Sequence, residues 1–287
     1  MVKRAHIAES ATCAPPAGGL EPMFLREVDK KAFFQAIERV SQYWPALETT
    51  LRRAFYCDLQ IPDKNGITMA GLGKQCAETI EEIHLVCING YGLAGTKLLR
   101  GLYERTVTAA FFAKNPEAAR RFLDSFDLDF GKLMHRHQEF AKANGQDPNK
   151  ILPTELLAQV EDDYKRAKEE EERCDRCGAP KGRLDVFSMV QASGPALVPY
   201  YGLCFLEPTL HVHCTWYSIL EGVKVTPGQN HIDFDPHPEG ERALKILQLS
   251  HFLILHAMET QNAYFRLSLE EEIAQRWADY KALWESE

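Results

Sequence analysis

Apolar residues recur along most of this chain at spacings of three and four, the period of a helix with one buried face. Phe33, Phe34, Ile37, Val40, Trp44, Leu47, Leu51 and Phe55 begin the pattern, and Pro45 inside it predicts a break at Trp44–Pro45. Pro62–Asp63–Lys64–Asn65–Gly66 reads as a turn. A second helix is expected from about Gly73 to Ile88, with Ile80, Ile83, His84 and Cys87 on one side. Then comes a stretch that is apolar on nearly every side. Between Leu98 and Ala113 its only charges are Arg100, Glu104 and Arg105. Such a helix belongs in the middle of a protein, so 93–114 is expected to be central. Asn115–Pro116 should end it, because a residue before proline avoids the helical region.

A helix is expected over Glu117 to Ala143, with Phe122, Phe126, Leu133 and Phe140 facing inward, and then a polar loop to Pro153. Thr154 suits an N-cap, and the helix it opens, 154–173, has a narrow apolar stripe and a charged end able to protrude into solvent. Phe187 to Ala192 reads as a short helix. Tyr200 to Leu220 is a second greasy helix in which Pro208 forces a kink or a fresh start. Glu241 to Arg266 is a third. Ser268, with Glu271 three residues on, looks like the capping box of a last helix. No internal repeat and no strand-like alternation of useful length is present. The expected fold is all-α: about eight helices around 93–114, forming one domain over 23–287 after a loose tail at 1–22.

Composition narrows the function classes. The 287 residues suffice for a sizeable core, and 45% hydrophobic with 26% charged residues is ordinary for a globular protein. A net charge of −8 argues against a broad grip on nucleic acid or anionic membrane, although a small basic groove remains compatible with RNA. The run Phe252 to Leu255 is far short of the roughly 20 apolar residues a bilayer needs. The first 20 residues contain no apolar core of a secretory signal. Eight cysteines, mostly inside apolar helical patterns, read as reduced thiols in a cytoplasmic protein. Phosphate-binding glycine fingerprints are absent.

Four constellations could carry chemistry. Arg100 and Glu104 lie one turn apart on an apolar helix, which predicts a buried pair. His211 and His213 diverge by about 200° on a helix, so one of them should point into the core. Cys174-Asp175-Arg176-Cys177 has the spacing of half a zinc site, but tetrahedral zinc wants four ligands. His231, Asp233, Asp235 and His237 would share a face if extended, as a divalent metal could use, or would simply form turns.

The order of several short motifs resembles an all-helical, largely bacterial family known as domain of unknown function 5677. The motifs are Leu98-Leu99-Arg100-Gly101-Leu102-Tyr103-Glu104, Phe112-Ala113-Lys114-Asn115-Pro116-Glu117, Arg120-Arg121-Phe122, Lys181-Gly182-Arg183, Tyr200 or Tyr201, and His213-Cys214-Thr215. The resemblance spans roughly Ile80 to Met258. It implies Arg100, Glu104, Arg183 and His213 as the polar positions of interest. It does not extend to the Cys174/Cys177 pair. Helical families of this kind invite comparison with the HEPN ribonucleases of prokaryotic defence and toxin systems. Their Arg followed four to six residues later by His does not occur in this chain, where Arg136–His137 is too close. The leading expectation is therefore a protein that binds a small ligand or a protein partner through a buried cluster of Arg100, Glu104 and His213, with Arg183, His211 and Tyr201 assisting. The alternative is a metal-independent ribonuclease in which His213 is the acid/base and Arg100 steadies phosphate charge. No cofactor is expected apart from a possible zinc at Cys174 and Cys177, and self-association is possible.

Overall fold

A computed structural model of the chain describes residues 27–57, 64–150, 153–170, 185–213, 215–220, 223–225, 232–234 and 240–284. The helices are α1 (Glu27–Phe55), α2 (Lys64–Ile88), α3 (Gly92–Lys114), α4 (Pro116–Asp124), α5 (Phe126–Ala143), α6 (Thr154–Glu170), α7 (Val186–Ser193), α8 (Glu207–Val212), α9 (Trp216–Leu220), α10 (Gly240–Phe265) and α11 (Glu270–Trp284). The all-α class holds. One small addition is an antiparallel pair of three-residue strands, β1 (Val223–Val225) and β2 (Ile232–Phe234), inside the expected polar loop.

α3 is the centre. It packs on α2 and α10 most extensively, and on α7 and α8 along another side. Leu99, Leu102, Tyr103 and Val107 are fully buried in the core that these helices share with α1. Two glycines set how closely they approach. A Cβ on Gly95 would sit 2.3 Å from the Cys87 sulfur and 3.1 Å from Ile246 Cγ2. One on Gly92 would sit 2.8 Å from the Ala243 backbone nitrogen. The turn feeding α3 is equally tight. Gly90 adopts φ 82°, the Gly90 N–H donates to Cys87 O and the Tyr91 N–H to Val86 O, so α2 stops in a left-handed cap and α3 starts two residues later.

Several elements differ from expectation for local reasons. α1 is continuous through Pro45. The carbonyl that Pro45 leaves without a helical donor belongs to Ser41, which is exposed, so water can serve it. α2 begins at Lys64, absorbing the Asn65–Gly66 turn signal into its first turn. The long helix expected from Glu117 is divided at Ser125 into α4 and α5. Phe122, Phe126, Leu133 and Phe140, expected inward, are exposed, whereas Leu128, Gly131, Met134 and Ala141 are buried. α6 lies antiparallel along that second face. Tyr164 covers Gly131, His135 Nε2 meets Glu161 Oε2 at 2.6 Å, and α5 and α6 pack mainly on each other.

The Tyr200–Leu220 stretch is broken into pieces. A π-helical segment, Gly202–Leu206, precedes α8, and α9 follows after an extended His213. Pro208 cannot donate to the carbonyl four residues back and would clash with it; widening the preceding turn relieves both problems. Ser268 does not cap the last helix as expected. It takes φ 58°, and Asn262 Oδ1 accepts from the Leu269 N–H at the start of α11. α11 docks on α10 through Trp277, whose ring N–H donates to Glu259 (2.7 Å).

The close approach at Gly95 is testable. Alanine is the better helix former by about 1 kcal/mol, but overpacking a full core costs about 1–3 kcal/mol. Gly95→Ala should therefore destabilise the protein in urea unfolding, and Cys87→Ala in the same chain should recover much of the loss. Strict additivity of the two substitutions would contradict the contact.

Candidate functional site

α3 is not covered all round. Lys97, Arg100 and Glu104 share one face, where Lys97 and Glu104 are exposed and Arg100 is half-buried. Among the described residues Arg100 has no carboxylate within ion-pair distance, so the expected buried Arg100/Glu104 pair does not form. The order of the pair is the unfavourable one on a helix, base before acid. The Arg100 side chain instead turns toward the π-helical segment. Its guanidinium carbon lies 5.1 Å from the centroid of the Phe205 ring, a cation–π contact. Its Nε is buried and has no hydrogen-bond partner.

Phe205 is held in turn by Tyr201, which stacks on it at 5.4 Å between centroids and 22° between planes. Tyr201 also meets Phe187 of α7 at 5.2 Å. Tyr103, buried on α3, donates its hydroxyl to Leu197 O at 2.9 Å and so fixes the chain entering this segment. Two expected residues, Arg100 and Tyr201, are thus joined through an unforeseen one, Phe205.

His211 is the inward member of the histidine pair, and His213 is exposed at the end of α8. Burial lowers the His211 pKa, and the cations Arg242 and Lys97 lower it further against the opposing pull of Glu207. A neutral imidazole is the result at neutral pH. Tyr217 of α9 meets the ring edge-on at 5.6 Å. Arg242 is itself half-buried. Burial lowers its pKa while Glu207 opposes the shift. Lys97 and Arg242 therefore act on a buried His211 together with Glu207, and Arg100 lies one turn along α3 from Lys97, against Phe205. The expected cluster had Glu104 and His213 in it. The geometry leaves both outside, in solvent.

Arg183, Cys174 and Cys177 lie outside the described residues, as do Cys214, His231, Asp235 and His237. Among the described residues no group of three or more His, Cys, Asp and Glu could hold a metal ion. Cys57, Cys76, Cys87 and Cys204 are free thiols. Burial pushes Cys76, Cys87 and Cys204 up to about 12, which makes them inert packing groups. No described helix is long and apolar enough to cross a membrane.

A second polar cluster escaped the sequence reading. His84 of α2 stacks on Trp44 of α1 (3.8 Å, 15°), and the fully buried His251 of α10 meets Tyr43 at 5.1 Å. The Trp284 ring N–H of α11 donates to His251 Nδ1 at 3.3 Å, which places the imidazole proton on Nε2. That Nε2, His84 Nδ1 and the Tyr43 hydroxyl are buried without partners. Each such group carries a desolvation cost of about 1–3 kcal/mol. Tryptophan and histidine at helical spacing look like any core stripe in sequence; only the packing of four helices brings these rings together.

The family model for DUF5677, described as a family of unknown function, matches residues 67–230, more than half of the chain, and the chain belongs to that family. No curated protein and no solved structure matches it. The matched region contains α3, the π-helical segment and α8, and it leaves out α10, which supplies Arg242 and His251.

The histidine cluster has a pH signature. Burial depresses His84 to about 4, and burial with neighbouring His84 depresses His251 to about 3, both below the ordinary 6.5. Both groups are neutral in either state above pH 6.5. As the pH falls toward 4 the unfolded chain takes up protons that the folded chain refuses, so stability drops by a few kcal/mol in order of magnitude. Thermal unfolding between pH 7.5 and 4 should show this fall. His84→Phe, which keeps the stack on Trp44, should flatten it; an unchanged slope would show that His84 is not the source.

Proposed function

We propose that this DUF5677 member is a ligand-binding protein whose site is the cation-rich junction of α3, α8 and α10, and that it recognises a small anion bearing a phosphate or carboxylate. The observation that carries this reading is Arg100. Its guanidinium lies against an aromatic ring, its Nε is buried without a hydrogen-bond partner, and among the described residues no carboxylate pairs with it. A partly buried cation without a counter-charge is costly, and an incoming anion would supply the missing partner with charge-assisted hydrogen bonds. Lys97 lies one turn away on the same face, and Arg242 approaches from α10 on the His211 side. This local excess of positive charge sits on a chain of net charge −8.

In this reading each residue has its own part. Arg100 is the anion-binding group and is held flat by Phe205, which Tyr201 backs. Lys97 adds charge at the rim. His211 is a neutral donor or acceptor toward the ligand rather than a cation. A π-helical segment beside such a cation is a common device for aiming side chains at a ligand. The ribonuclease reading needs an imidazole that exchanges protons with a bound phosphodiester beside Arg100. The inward histidine here is His211, and the exposed one is His213, so binding is the reading that the side chains support.

Thermal shift with inorganic phosphate, pyrophosphate, AMP, succinate and a short RNA oligomer tests this directly. A ligand at 100 times its Kd stabilises the native state by about 2.7 kcal/mol, which is a shift of several degrees for a protein of this size. At least one small anion should produce such a shift. Arg100→Ala should weaken its binding tenfold or more, and Arg100→Lys should recover only part, because a lysine lacks the planar fork. A shift of equal size in Arg100→Ala would overturn the assignment. A response to RNA alone, with cleavage that depends on His213, would move the conclusion to the ribonuclease.

A further inference from the structure

α5 carries large apolar residues that stand exposed. Phe126, Leu133 and Phe140 are 62%, 59% and 63% exposed, on a helix whose opposite face is occupied by α6. They stand at intervals of seven, one side of a helix over fourteen residues, about 21 Å. An apolar repeat of seven is the pattern by which one helix seats another. The intramolecular face of α5 is thin: Leu128, Gly131, Met134 and Ala141 are its buried positions. Two helices that pack mainly on each other through so few apolar groups are poorly stabilised in isolation, and a further helix seated on the exposed face of α5 would add apolar burial.

The sequence of the seam says what the second helix is. Phe126, Leu133 and Phe140 read the same in both directions about Leu133. A twofold axis through Leu133 would therefore seat Phe126 of one chain beside Phe140 of its partner at both ends. Charge selects the antiparallel orientation. Asp129 lies four residues before Leu133 and Arg136 three after it, both on the flank of the seam. In an antiparallel pair the same flank of both helices meets, so Asp129 faces Arg136 of the other chain, twice by symmetry; in a parallel pair that flank would meet the opposite flank, which carries Phe130 and His137, and the reciprocal pairs would not form.

We propose that the chain self-associates through α5, antiparallel to α5 of a second copy, with Leu133 at the twofold axis and reciprocal Asp129–Arg136 pairs, the two α5 helices lying between their own α6 helices.

The test uses the full-length chain and reads mass by analytical ultracentrifugation. The unaltered protein should be a dimer at micromolar concentration. Leu133→Asp changes an exposed position, so it should keep its helical circular dichroism and become monomeric. Asp129→Arg alone and Arg136→Asp alone should each weaken the dimer at least tenfold, and an equimolar mixture of the two single variants should form a heterodimer, because each then offers what the other lacks. Leu133→Cys should cross-link to itself under mild oxidation beyond the level given by the unaltered chain. Phe126→Cys should cross-link only when mixed with Phe140→Cys. A monomeric unaltered chain at 100 µM would overturn the proposal. So would a dimer that survives Leu133→Asp, or variants that fail to pair in the mixture.

Discussion

The closeness of α2, α3 and α10 is the constraint on which the rest depends. Gly92 and Gly95 remove the side chains that would hold α3 off Ala243 and Cys87. Leu99, Leu102, Tyr103 and Val107 can then fill one shared core. Because α3 is pressed against α2 and α10 on that side, its remaining side must be finished by shorter pieces. α7, the π-helical segment and α8 do so, and they bring Phe205 onto Arg100. The candidate site is therefore a consequence of how tightly the central helices pack, rather than a feature added to a finished scaffold.

The central helix was legible because its pattern is strong. Ten successive residues from Thr106 hold no acid, Asn115–Pro116 is a clear stop, and the expected 93–114 lies within one residue of the observed Gly92–Lys114. Breakers inside helices were less informative. Pro45 interrupts nothing because it faces water, whereas Pro208 widens the turn before it because it lies in the packed interior. A proline's effect depends on whether water can reach the carbonyl it leaves unserved, and burial is not written in local sequence. The same ambiguity misplaced the phenylalanines of α4 and α5. Apolar spacing identifies a face that needs covering and does not say whether the cover comes from the same chain.

The candidate site was half legible. Arg100 stood out as a charge on a greasy helix, and the divergence of His211 and His213 correctly implied that only one turns inward. The partners were not legible. Glu104 was the obvious neighbour by spacing, but it points to solvent, and the groups that complete the site come from residues about a hundred positions away or more: Phe205, His211 and Arg242. The cluster at His84 and His251 is more distant still from any sequence signal, since each ring sits on a different helix and only the packing of α1, α2, α10 and α11 makes them neighbours.

The functional account rests on Arg100 being a cation that has no carboxylate partner among the described residues. Nitrogen-15 NMR of the arginine side chains reads that state directly, because the Nε–H of a buried guanidinium exchanges slowly enough to be seen and Arg100→Lys assigns it. Titration with the anion that stabilises the protein should shift the Arg100 Nε–H resonance in proportion to binding and slow its exchange further. An Arg100 signal that stays fixed while the anion binds elsewhere would contradict the account.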